Sequence, residues 1–326
     1  MYARAALRPG PFHNPHRTGD GAGASGQGAV DVLVFANMST TSVQRTSALA
    51  RAFPKWDARA GWIVGLVALG ALAMALMPRL AQPVSFHDFA DRRALLGVPN
   101  FMDVVSNAPF AMASALGLGF LARRAREQRM SVVGGGGAVA RLMRIDLIAL
   151  TLVFLGIGFT CAGSSYYHLL PCNERLYWDR LPMVLTFVGL LVVLIAERVS
   201  PKTAALLMAP LLLAAFASVT HWRVTEAAGR GDLRAYFFAE GAALVSVRLI
   251  VALYPARYLP TRKLMIGLAC YGLAVLFEQL DKPVWNLLSS LGVELVSRHT
   301  IKHLWASAGA LVLAWAVRSE QVAAGE

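Results

Sequence analysis

From about residue 60 onward the chain is a succession of long, continuously apolar runs separated by short polar stretches. Eight runs are long enough to matter: Ala60–Met77, Phe101–Leu121, Ile145–Tyr167, Leu181–Ala196, Thr203–Val219, Ala235–Tyr254, Leu264–Leu280 and Thr300–Val317. A helix crosses a bilayer with about 20 mostly apolar residues. Barrel strands would alternate apolar and polar positions, and these runs do not. The pattern predicts an all-α, polytopic membrane helical bundle. Residues 1–59 show no periodicity and are rich in Gly, Ser, Thr, Pro and Arg, so they read as a disordered basic tail. No apolar run near the start resembles a secretory h-region. Met38 opens the string Met-Ser-Thr-Thr and is a candidate native start. Residues 318–326 read as a C-terminal tail.

Composition agrees and removes the alternatives. Of the 326 residues 56% are hydrophobic and only 15% charged, and the mean hydropathy is +0.53. Soluble domains carry about 25% charged residues. A soluble enzyme, a disordered chain and a disulfide scaffold are disfavoured. The net charge of +12 would indicate nucleic acid in a soluble protein. Here it belongs to loops and reports orientation, because cytoplasmic loops carry the excess of Lys and Arg. Eight spans place both termini on one side, with Arg123, Arg124, Arg126, Lys202, Arg257, Arg262 and Lys263. Both termini are therefore expected in the cytoplasm, and no nucleic-acid partner is expected. Of the three cysteines, Cys161 and Cys270 lie in apolar runs and read as small hydrophobes.

Several polar residues stand where apolar ones are cheaper, and they converge on the non-cytoplasmic ends of the runs. The third run ends Gly163-Ser-Ser-Tyr-Tyr-His168, the fourth follows Tyr177-Trp-Asp-Arg-Leu-Pro182, and the last begins His299-Thr-Ile-Lys-His303. His299 and His303 are four apart, so both imidazoles leave one helix face. With His168 they make three nitrogen ligands, and three imidazoles with one open position form a recurrent catalytic zinc set. Zinc lowers the pKa of a bound water to about 7. Asp179 could hold or deprotonate that water, and Ser164 could donate to an oxyanion. Each residue also has a structural reading. The histidine pair could sit at lipid head groups, Ser164 could allow close helix packing, Asp179 could cap the fourth helix ahead of Pro182, and Lys302 could snorkel to the interface.

The strings Gly163-Ser-Ser-Tyr-Tyr-His168, Trp178-Asp-Arg-Leu-Pro-Met183, His299-Thr-Ile-Lys-His-Leu304 and Asn100-Phe-Met-Asp-Val-Val-Ser-Asn107 resemble, in order, motifs of the alkaline ceramidase family. That family belongs to a superfamily of seven-helix membrane hydrolases that includes adiponectin-receptor-like proteins. The resemblance covers residues 86–317 as a seven-helix core and leaves residues 60–77 as an extra N-terminal helix. It implies a zinc-dependent amidohydrolase that cleaves ceramide-like membrane lipids, with zinc on His168, His299 and His303 and with Asp179 and Ser164 catalytic. Eukaryotic members also hold calcium before the first core helix. The corresponding residues here are Asp88, Asp91 and Asn100, with Arg92 and Arg93 interrupting the pattern, and a loop whose acids pair with those arginines is the alternative. His87 is unassigned. Glu240, Arg248, Glu278 and Asp281 lie outside the motifs and read as structural ion-pairing residues. No motif residue reads the lipid itself, so another lipid amide or ester, or a receptor or transporter with a structural zinc, stays open.

Overall fold

The computed structural model describes residues 57–131, 137–280, 286, 290–291 and 297–323. Most of the N-terminal tail, Asp281 and residues 324–326 lie outside the described residues. The described chain is an all-α bundle with no strand. Its helices are α1 (Ala58–Leu76), α2 (Phe101–Val105), α3 (Ala108–Ser131), α4 (Gly137–Leu169), α5 (Asn173–Leu194), α6 (Pro201–Ala227), α7 (Arg234–Leu253), α8 (Thr261–Gln279) and α9 (Arg298–Ala323). Seven helical stretches are long and apolar enough to cross a membrane. The eighth expected span, α8, is 19 residues long but carries Arg262, Lys263 and Glu278 near its ends.

Most helices extend past their apolar runs. The fourth run begins at Leu181, whereas α5 begins at Asn173 and holds Pro182 in its interior. Polar flanks fold as helix once neighbouring helices cover them, and hydropathy registers only the apolar middle. The second run breaks in the other sense. Ser106 and Asn107 interrupt it between α2 and α3, and the Asn107 side chain donates to the Asp103 carbonyl at 2.9 Å.

α5 is the central helix and contacts α4, α6 and α7, while α9 lies against α3 and α8. The core between α4 and α5 is built from Val153, Phe154, Val184 and Val192, all 0% exposed. α8 and α9 approach most closely at Gly267 and Gly309, where a Cβ on Gly309 would lie 2.9 Å from the Gly267 carbonyl. Small residues allow this kind of backbone approach between membrane helices.

α1 is apolar all round and buries none of its residues, which water would not tolerate and lipid does. Polar contacts at both ends hold it antiparallel to α7. Tyr254 donates to Asp57 at 2.7 Å and Arg59 to the Leu253 carbonyl at 2.9 Å. At the other end Arg234 donates to the Met77 carbonyl at 2.6 Å. The turn between α7 and α8 is fixed from α5. A π turn at Ile195–Val199 directs Glu197 and Arg198 inward as a fully buried pair 2.8 Å apart. Glu197 accepts the backbone N–H of Arg257, Tyr258 and Leu259, at 2.6, 2.9 and 3.2 Å. Arg198 donates to the carbonyls of Val251, Tyr254 and Leu259.

Candidate metal centre

Two helix ends meet at one end of the bundle. α4 delivers His168 in its last turn, and α9 delivers His299 and His303 in its first two turns. All three side chains are buried, and their nearest ligand nitrogens lie within 4.8 Å of one another. Among the described residues this is the group of His, Cys, Asp and Glu side chains placed to hold a metal ion. The spacing of four between His299 and His303 acts as expected, with ring centroids 4.7 Å apart.

The donor set fits zinc. Nε2 of His168 and Nε2 of His299 are 3.1 Å apart. A tetrahedral zinc with nitrogen ligands at about 2.0–2.1 Å separates two of them by about 3.3 Å. His168 is 0% exposed, and its Nδ1 has no hydrogen-bond partner. Its ring therefore has another ligand histidine as its polar neighbour, an arrangement that costs free energy without an ion between them. His303 is held for coordination by its other nitrogen. The Ser106 hydroxyl donates to the Asp103 carbonyl at 3.2 Å and lies 2.8 Å from His303 Nδ1. With its proton on that carbonyl Ser106 can accept from Nδ1–H, the tautomer that leaves the Nε2 lone pair for a metal.

Asp179 and Ser164 meet beside the histidines. Ser164 neighbours the Asp179 carboxylate in the wall of one cavity, and both residues are buried. Gly163 makes this possible, since a Cβ there would lie 2.0 Å from the Trp178 carbonyl. That carbonyl is four residues before Pro182, which has no N–H to give it, so the glycine backbone of α4 can settle against it. Asp179 is inside α5 rather than at its cap, which is Cys172; the capping alternative does not hold.

Ser164, Asp179 and His303 line one cavity of about 270 Å³. Its walls are mostly apolar, including Phe187, Leu268 and Leu313. It runs along α8 from Glu278 to Lys263, about 22 Å at 1.5 Å per residue. Lys302 and Glu278 form an ion pair in this wall. Lys302 therefore does not snorkel, and Glu278 pairs as expected. Among the described residues Glu240 makes no ion pair, and it accepts the Tyr271 hydroxyl at 2.6 Å, joining α7 to α8 across the cavity. Arg248 is exposed on α7.

The loop ahead of α2 covers the histidines with Phe89, whose ring centroid is 4.8 Å from His168 and 4.5 Å from His299. Its acids are engaged with arginines. Asp88 contacts Arg92, and Asp91 accepts from Arg93 Nε at 2.8 Å and Nη2 at 2.7 Å. Burial pushes the Asp91 carboxyl up, but the bonds and charge of Arg93 outweigh it and hold the group below its usual range. Asn100 is buried with left-handed backbone, φ 47°, and donates to the His168 carbonyl at 2.8 Å. It steadies a zinc-candidate histidine. Asp88 and Asp91 thus pair with arginines as in the alternative reading, while Asn100 is turned to the His168 carbonyl. His87 bonds Tyr167 and Asn173, each at 2.9 Å, one residue away from His168 rather than on the centre.

Asp103 and Ser106 belong to the centre and were absent from the sequence-based set. Asp103 is 1% exposed and accepts the hydroxyls of Ser297 and Thr300 at 2.8 and 2.9 Å, tying α2 to the start of α9. An acid inside an apolar run was the available signal. Comparison of the chain with protein-family models, curated proteins and solved structures found no match.

Proposed function

We propose that this protein is a zinc-dependent membrane amidohydrolase that cleaves the amide bond of ceramide-like lipids. One observation carries the reading: a buried three-histidine centre stands beside a Ser164–Asp179 pair at one end of a long apolar cavity. A soluble amide would not need such a cavity, whereas an acyl chain fills it at about 0.8 kcal/mol per buried methylene. Zinc would supply polarisation of the amide carbonyl and a water acidified to near neutrality. His168, His299 and His303 would hold the ion, and Ser106 would keep His303 in the coordinating tautomer. Asp179 would take the proton of the attacking water and return it to the leaving nitrogen. Ser164 would hold that carboxylate against the cavity. Calcium has no role in this reading.

The test is purification of the full chain in detergent, metal analysis, and hydrolysis of ceramide and a panel of other lipid amides and esters. Wild type is expected to carry stoichiometric zinc and release fatty acid. Asp179→Asn is expected to keep the metal and lose about 10²–10⁴-fold in rate. Bound zinc with no turnover across the panel would favour the receptor or transporter reading, and active protein free of zinc would end the mechanism.

The bias of Lys and Arg supports a multi-pass arrangement with both termini cytoplasmic and the centre near the opposite face. A C-terminal reporter active only outside the cytoplasm would reverse that orientation.

A further inference from the structure

Arg180 follows Asp179 on α5, and the turn of about 100° per residue directs its side chain away from Ser164. The residue is only 5% exposed and lines the same cavity. Three rings surround its guanidinium: Trp222 at 4.6 Å, Tyr236 at 4.9 Å and Phe86 at 5.2 Å. Nη2 donates to the Gln82 side-chain carbonyl at 2.7 Å. Nη1 is buried and has no hydrogen-bond partner.

Other buried cations of the bundle are treated differently. Arg198 has Glu197 at 2.8 Å, Arg124 has Asp146 at 3.4 Å, and Lys302 has Glu278. Arg180 has a neutral amide and three ring faces, and the Asp179 carboxylate next to it in sequence acts on it through charge without an ion-pair contact. Ring faces lower the cost of a buried cation but return no N–H acceptor. A planar guanidinium that lines a cavity and keeps one N–H unpaired matches a carboxylate or a phosphate.

We propose that Arg180 receives an acidic group, so that among ceramide-like and related lipid amides those with a carboxylate or phosphate on their amine half are preferred to their neutral counterparts. This rests on the amidohydrolase reading for its geometry: the amide lies at Asp179 and His303, the acid a few bonds away at Arg180, and the acyl chain along α8.

The experiment measures equilibrium binding to the full chain in detergent. The probes are ketone isosteres of three oleoyl amides, with CH2 in place of the amide N–H so that no hydrolysis intervenes. One carries the glycine carboxylate, one the neutral ethanolamine, and one phosphorylated ethanolamine. Wild type is expected to bind at least one acidic probe about tenfold or more tighter than the neutral one. The acid that gains more identifies carboxylate or phosphate as the native group. Arg180→Gln is expected to abolish the preference and change neutral binding less than about twofold, and the exposed Arg79→Gln to change nothing. Equal binding of all three probes by wild type overturns the proposal, as does a preference that survives in Arg180→Gln. Should Arg180→Gln fail to fold, the wild-type comparison still decides, and Arg180→Lys, which keeps the charge without the fork, is expected to retain only part of the preference. Turnover of the parent amides separates the two readings. Acidic preference without turnover removes the amidohydrolase and keeps the anion site; turnover without preference removes only the role of Arg180.

Discussion

Replacing Ser106 with alanine isolates one atom of the centre. Its hydroxyl lies 2.8 Å from His303 Nδ1, and coordination through Nε2 requires that nitrogen to be the protonated one. Without it, His303 can rotate or take the other tautomer, and the Nε2 lone pair is aimed at the metal only part of the time. Loss of such an outer hydrogen bond typically weakens metal binding 10–100-fold, or about 1.4–2.7 kcal/mol. The Asp103 backbone carbonyl also lies beside the His303 ring, so part of the restraint survives and the expected loss is near tenfold. The assay is competitive zinc titration of the purified protein against a fluorescent chelator. Ser164→Ala is the matched control: Ser164 neighbours Asp179 and bonds no histidine, so zinc affinity is expected to stay within about twofold. Unchanged affinity in Ser106→Ala, beside a His303→Ala variant that loses the metal, would refute the account of how His303 is held.

Two other substitutions probe what positions the centre. Gly163→Ala places a methyl 2.0 Å from the Trp178 carbonyl, so α4 and α5 must separate, costing about 1–3 kcal/mol; a thermal melt in detergent matching wild type would show that the close approach is not needed. Arg198→Ala leaves the fully buried Glu197 carboxylate without its cation, an expected loss of about 3–5 kcal/mol, read as a much lower midpoint in the same melt, whereas a loss below 1 kcal/mol would show that the backbone N–H groups of the α7–α8 turn suffice.

The apolar runs determined the number and order of the long helices, because a bilayer demands about 20 apolar residues for each crossing. Spacing along one helix determined that His299 and His303 share a face. The same reasoning could not place helix ends, since Asn173–Arg180 is polar in sequence but helical once α4 and α6 lie against it. Arg198 falls between the fourth and fifth apolar runs, yet a π turn buries it. Sequence gathered Ser164, His168, Asp179, His299 and His303 at one end of the bundle, because a helix that starts or stops at the membrane surface fixes the depth of its terminal residues. Only the packing decided which atoms meet. Gly163 sets the approach of α4 to α5 and joins Ser164 to Asp179. The break at Ser106 and Asn107 sends Ser106 to His303, over 197 residues of separation. Arg92 and Arg93 engage the acids of the loop ahead of α2, and the covering of Arg180 by rings is a contact between α5, α6, α7 and the turn at Phe86. Contacts of this kind join residues far apart in the chain, and no local pattern encodes them.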